Sequence, residues 1–239
     1  MSLYYTTLMA GLTPIDPYLA FQVAYYPFDT NSNDLINAQN GDDTNISYAN
    51  AGVVGNSASF NGGSSLITIP NNPLTPFFSF GTSPFSINLR NFINIAGNAG
   101  TLVNKRNSTV AEYLLSYSVS LNTVTILLIT STGNSVGKTF NITLTKDIWQ
   151  MVTITCAGGT GTTARDSIRL YVNAVEIVSF TNQQTGTYIG MTTTVAPVVF
   201  GRQGNTGAGY HNGRLDLPRF WNGRELTAVE ILDMFNTNY

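Results

Sequence analysis

Few side chains in this sequence can do acid–base, nucleophilic or metal chemistry, and they are scattered. Thirteen acids, one histidine and one cysteine serve 239 residues. The glutamates are Glu112, Glu176, Glu225 and Glu230. Retaining cleavage of a glycosidic bond needs two carboxyl groups about 5–5.5 Å apart. On one strand that separation requires acids at even spacing, as in Glu-x-Asp-x-Glu. None of the four glutamates lies in such a run, so no catalytic residue is assigned and a non-enzyme is expected. His211 is the only histidine, which excludes a multi-histidine metal site. As the base of a serine triad it would need a nucleophile on a strand-turn-helix elbow, which an all-β chain does not supply. Cys156 ends the apolar run Met151–Cys156 and reads as a buried structural thiol. A single cysteine also rules out an intrachain disulfide.

Oxygen ligands and sugar-binding groups are better represented. Asp29-Thr30-Asn31-Ser32-Asn33-Asp34 opens like a calcium loop. Asp34, however, stands where an EF-hand needs glycine, and Asn40 where it needs a bidentate glutamate. The segment is an oxygen-rich turn and not an EF-hand. Sugar sites set an aromatic face against the apolar side of a ring and surround it with a few polar groups. The loop 204–212 offers Tyr210, His211 and Asn212 beside Arg202 and Arg214. Tyr210, His211, Asn212 and Arg202 are therefore the candidate glycan contacts. The glycine-rich stretches Gly158–Gly161 and Gly204–Gly209 read as flexible strand connections, because neither runs on into Lys-Ser/Thr and a helix as a phosphate loop would.

Strands have to hold these groups. Short apolar runs recur between turn residues: Phe21–Tyr26, Leu66–Ile69, Phe85–Leu89, Tyr113–Val119, Val124–Ile129, Phe140–Leu144, Trp149–Cys156, Ile168–Val172, Val175–Phe180 and Val198–Phe200. Several alternate apolar and polar residues, the period of a half-buried strand. Trp149 and Trp221 fall in such patterns and are assigned to the core. Asn173-Ala174 reads as a two-residue hairpin, with alanine where glycine is usual. One helix is expected, from about Ala228 to Phe235: Thr227 and Glu230 have capping-box spacing, and Leu226 and Ile231 that of a hydrophobic staple. Residues 1–20 differ, with Pro14 and Pro17 among bulky apolar residues. They form either an extended arm that docks on another protein or a strand or tail on their own domain, which then spans 21–239.

Charge narrows the partners. Residues 1–89 carry five acids and no base, and the remainder eleven bases against eight acids, giving −5 and +3 for a total of −2. A nucleic-acid binder would need a concentrated basic surface, so none is expected. No stretch approaches the ~18 apolar residues of a membrane span, and no signal peptide is visible at the N-terminus.

The order of motifs resembles the laminin G-like branch of the concanavalin A-like lectin/glucanase superfamily. The resemblance is carried by Tyr25-Tyr26-Pro27-Phe28-Asp29 with Asn33-Asp34 and by Gly52–Gly63 followed by Leu66–Pro70. It continues through Leu102–Lys105, Leu170–Asn173 and the closing run from Asn212-Gly213-Arg214-Leu215-Asp216 through Phe220-Trp221-Asn222 to Leu226–Ile231. Leu89, Ala174 and Pro218 depart from the pattern, and Pro218 implies an edge or a bulge in its strand. The resemblance implies an all-β antiparallel sandwich, or jelly roll, with one short C-terminal helix. It also implies a structural calcium between Asp29, a carbonyl of Gly62 or Gly63, and Asp216, although these acids could equally cap turns or pair with Arg214 and Arg219. Two roles follow as expectations. One is a bacteriophage virion component, such as a capsid decoration, fibre or spike, held in an oligomer or larger assembly through the N-terminal arm and binding host-surface glycans. The other is a secreted bacterial carbohydrate-binding or adhesion module.

Overall fold

Alternating apolar residues can bury one face of a strand only if a second layer covers it, and here two antiparallel sheets cover each other. The computed structural model describes residues 18–238 except positions 73, 75, 131, 132, 205 and 206. The N-terminal arm expected over residues 1–20 therefore lies almost wholly outside the described residues.

One sheet contains β1 (Gln22–Tyr25), β3 (Ser47–Ala51), β4 (Asn56–Asn61), β6 (Phe85–Ile93), β11 (Trp149–Cys156), β12 (Arg169–Val172), β13 (Val175–Glu176) and β16 (Asn212–Asn222). Its order is β13-β12-β11-β6-β16-β4-β3, with β1 also paired to β16. The opposing sheet is built of β2 (Asp42–Thr44), β5 (Leu66–Ile69), β7 (Ala99–Arg106), β8 (Ala111–Ser118), β9 (Thr123–Ile129), β10 (Ser135–Asn141), β14 (Phe180–Thr185) and β15 (Val198–Phe200). Its order is β14-β10-β9-β8-β7-β15-β5-β2. Between the sheets lie Phe28, Phe60, Ile87, Leu89, Ile126, Phe200 and Phe220, each at most 2% exposed.

A third, partial layer covers the first sheet from outside. The helix α2 (Ala228–Thr237) starts at the expected cap: the Glu230 amide donates to the Thr227 hydroxyl, and the Glu230 carboxylate accepts from the Thr227 amide. Leu226, Ile231 and Met234 meet Met151, Tyr171, Trp221 and Tyr18 in a second small core. The Tyr18 carbonyl accepts the Trp221 indole N–H at 2.7 Å. β6 consequently is covered on both faces as far as Arg90, and its outward Ser86, Asn88 and Arg90 are buried. Arg90 donates to the Met234 carbonyl at 2.9 Å near the helix C-terminus, where the free carbonyls favour a cation.

Three local features depart from the sequence reading or sharpen it. The connection after Gly158–Gly159 is not merely flexible: it leads into a second helix, α1 (Gly161–Ser167), whose Ala164 packs beside buried Cys156. The hairpin at Asn173-Ala174 forms with both residues at positive φ (50° and 64°). Pro218 marks a bulge, with Leu217 at φ 52° and the β16–β6 register broken between Asp216 and Arg219.

Candidate functional site

On the outer face of the first sheet, one row of side chains escapes the helix. Cross-strand pairing sets Ser59 of β4 beside Arg214 of β16, Arg214 beside Phe92 of β6, and Phe92 beside Trp149 of β11. Directly paired residues point to the same face, so the four form a continuous strip. In the neighbouring row Asp216–Arg90–Met151, Met151 lies under α2, Arg90 reaches the Met234 carbonyl of that helix, and Asp216 is covered by the turn at Val53 and Val54. Trp149, assigned above to the core, is instead half-exposed on this strip. Its parity explains the correction, because it shares a face with Met151 and Thr153 and not with inward-facing Val152 and Ile154.

The strip has an aromatic floor and a cation. The Arg214 guanidinium lies 3.8 Å from the Phe92 ring centroid and 5.2 Å from that of Trp149. The two rings are 5.5 Å apart at 58°. One guanidinium N–H donates to the Ala51 carbonyl at 2.9 Å. Burial lowers the Arg214 pKa and the charge of Asp147 opposes that shift. Beside the cation opens a cavity of about 330 Å³ lined by Asn50, Ser59, Phe60, Asn94, Gly213 and Arg214. Its amides are positioned: Asn50 donates to the Ser59 hydroxyl at 3.0 Å, and Asn94 to the Asn212 side chain at 2.8 Å.

The four glycan contacts expected from sequence divide. Arg202 stands over the Tyr210 ring at 5.9 Å, and Asn212 reaches the cavity's edge through Asn94. His211 does not belong with them. It is 0% exposed, enclosed by Phe60 and Tyr117, with Nδ1 2.9 Å from the Tyr117 hydroxyl. Burial pushes its pKa down to about 4. The reason is alternation: His211 shares the inward side with Leu215, whereas Asn212 and Arg214 face out. Reading that period through Asn212–Asp216 would have singled out Arg214.

The expected calcium ligands also divide. Asp29 and Asp216 converge on the turn 52–56: Asp216 Oδ2 accepts from the Val53 and Val54 amides at 2.6 and 3.3 Å, and Asp29 Oδ1 from the Asn56 amide at 2.9 Å. Glycine is required at both ends of that turn, because a Cβ on Gly52 would stand 2.4 Å from Asp216 Oδ2 and one on Gly55 1.9 Å from Asp29 Oδ1. Gly62 and Gly63 are elsewhere. They follow the far end of β4, where the Gly62 amide bonds the His211 carbonyl, roughly 15 Å along the strands from Asp216. A cation here would be held by the two carboxylates without those glycine carbonyls. Asp216 Oδ1, buried and without a hydrogen-bond partner, is the atom left for it. Burial raises the Asp216 pKa to about 7 against the amides of Val53, Val54 and Leu217, and the Asp29 charge adds to the rise. Among the described residues no three His, Cys, Asp or Glu side chains form a metal cluster. Asp34 takes the turn-cap role, accepting backbone amides from Tyr25, Ile36, Asn37 and Gln39.

The remaining reactive groups hold structure. Glu112 pairs with Lys105 at 2.8 Å, both essentially unexposed, and also accepts from Ser79 and Thr194. Glu176 pairs with Arg169, Glu225 accepts from Thr155, and Glu230 pairs with Arg224. Gly133-x-Ser135-x-Gly137 has the spacing of a nucleophile elbow, where none was expected, and Gly137-Lys138-Thr139 ends like a phosphate loop. Ser135 to Thr139 lie in β10, paired on both edges and leading into no helix. Lys138 is buried on the carbonyls of Asp166 and Ile168. Neither chemistry has its required geometry.

The comparisons agree with this architecture. No curated protein matches the sequence significantly. Domain 4 of AbnA, a GH43 extracellular arabinanase from Geobacillus stearothermophilus solved with arabinotriose, superposes with a TM-score of 0.62 at 17% identity, covering 89% of this chain and 97% of that domain. The binding domain of botulinum neurotoxin serotype D/C gives 0.66 at 14% identity over 92% of this chain and 53% of that one. The binding domain of botulinum neurotoxin DC with SialylT gives 0.64 at 14%, over 92% and 52%. The chain thus spans about half the length of the toxin domains, and at these identities the likeness is one of fold. A family profile described as the concanavalin A-like lectin/glucanases superfamily matches residues 61–232, most of the sandwich, and the chain belongs to that family.

Proposed function

We propose that the protein is a non-catalytic carbohydrate-binding module that works outside the cell, with the Trp149–Phe92–Arg214 strip and its adjoining cavity as the binding face. The observation that carries this reading is an aromatic surface that α2 leaves uncovered on the outer face of the sheet, edged by Asn50, Ser59 and Asn94. A pyranose or furanose ring offers the apolar face and hydroxyls that such a surface complements. The arabinanase domain solved with arabinotriose supports it, and its extracellular origin supports the secreted setting. The structural engagement of Glu112, Glu176, Glu225 and Glu230 supports binding without cleavage. The virion setting, with assembly into an oligomer, is supported by sequence features only: the apolar run with Pro14 and Pro17 in residues 1–20, few lysines and no visible signal peptide.

The test is a glycan array probed with multimerised protein, because single-site affinity is weak and multivalent display raises it. Trp149→Ala should lower binding about tenfold or more in a protein that still melts cooperatively. No binding by the multimer overturns the reading, and release of reducing ends from a bound polysaccharide overturns the non-catalytic part. We propose in addition a structural calcium between Asp29 and Asp216, supported by their convergence and by the unpartnered Asp216 oxygen.

A further inference from the structure

We infer that the saccharide this face selects carries a carboxylate, as a uronic acid does, and that Arg214 is the residue that selects it; the inference rests on the glycan-binding reading above. Arg214 is a cation without an anion. Arg165, Arg169 and Arg224 each pair with a carboxylate within 4 Å, whereas Arg214 makes one hydrogen bond, to the Ala51 carbonyl, and no ion pair among the described residues. Asp147, the carboxylate whose charge reaches it, is exposed and outside ion-pair distance. The nearby Lys146 ammonium is spent on the Ile95 carbonyl and the Asn98 side chain.

The setting of Arg214 suits a planar anion better than a neutral hydroxyl. Stacking on Phe92 holds the guanidinium plane in place, so the fork of N–H donors is pre-organised and little entropy is lost on binding. That fork lines the cavity and matches the two oxygens of a carboxylate. Because the charge is partly desolvated, an anion there interacts more strongly than it would at a fully hydrated arginine. A sugar acid seated with its carboxylate on Arg214 would have the amides of Asn50 and Asn94 at hand for its hydroxyls and Trp149 for its apolar face. A neutral sugar could accept from the same donors but would leave the charge of Arg214 without a counter-charge.

Trigalacturonate and galactotriose form a matched pair differing in the C6 carboxylates, and titration calorimetry at low salt reads both. The wild type should bind the acidic trimer at least about tenfold more tightly, the scale of one charge-assisted contact. Raising salt should narrow that gap. Arg214→Gln should abolish the preference, so that the two trimers bind with the same affinity. Arg214→Lys should restore only part of it, because a point charge lacks the fork. Melting temperatures confirm that each variant is folded. Equal affinity for the two trimers in the wild type, or a preference undiminished in Arg214→Gln, overturns the inference. If neutral glycans bind in a Trp149-dependent way without any acidic preference, the inference falls and the binding reading stands. If no carbohydrate binds in titration or on the array, both fall.

Discussion

Two buried groups, His211 and Asp216, tilt stability in opposite directions as pH changes. Burial lowers His211 from 6.5 to about 4, so between those values the unfolded chain binds the extra proton. Its contribution is complete above pH 6.5 and lost as pH falls toward 4. Asp216 is raised from 3.8 to about 7, so in the same window the folded chain holds the extra proton. Its contribution is complete below pH 3.8 and lost as pH rises through 7. The two slopes largely offset each other in the wild type. His211→Gln, which keeps an acceptor for Tyr117, should give a protein whose stability falls from pH 4 to 7. Asp216→Asn should give one whose stability rises, each by on the order of 3 kcal/mol. Denaturant midpoints at half-unit pH steps will read both, and parallel slopes in the two variants would refute the opposition.

Among the elements, α2 decides which part of the sheet stays open. Its capping box was legible because Thr227 and Glu230 act through backbone amides a fixed distance apart. Thr227→Ala should cost about 1 kcal/mol in chemical denaturation; an unchanged midpoint would mean that docking through Leu226, Ile231 and Met234 suffices without the cap. The helix α1 was not legible, because Gly161–Ser167 has no apolar period and only Ala164 is buried in it. Nor was β14, whose Phe180–Thr185 is polar and mostly exposed. It is a strand because it pairs with the edge of β10, a partner no local pattern announces. The run Phe140–Leu144 only partly coincides with its strand, because β10 begins at Ser135 and stops at Asn141.

Across the whole molecule, the beginning and the end of the domain meet along β16. β1 pairs with its C-terminal half, Tyr18 packs under α2, and Asp29 and Asp216 face the same glycine-bounded turn. Two carboxylates held together repel, so a divalent cation between them should tighten this junction. Excess calcium should raise the melting temperature by mass action once it exceeds a dissociation constant of roughly 10⁻⁴–10⁻³ M. Asp216→Asn should blunt that response more than Asp42→Asn, whose side chain is exposed on β2. Superimposable melts in calcium and in chelator would leave both acids as turn and bulge residues only.

By itself the sequence determined the strands whose alternation is strong, the Leu66–Ile69 and Trp149–Cys156 boundaries, the helix cap and, at Pro218, a choice between an edge and a bulge. Each of these depends on neighbours a few residues apart. Tertiary structure alone decided which face of each strand is covered, because both sheet faces are candidates until the second sheet and α2 are in place. Trp149 and Trp221 lie in similar apolar contexts, yet one is half-exposed on the strip and the other is sealed under Tyr18 and the helix. The same holds for the candidate sites. Asp29 and Asp216 reach the same turn, and Phe92 meets Arg214 and Trp149, across separations of more than fifty residues that only the tertiary fold closes. Gly62 and Gly63, although next to β4 in sequence, lie at the wrong end of it, since a six-residue strand carries its two ends roughly 20 Å apart.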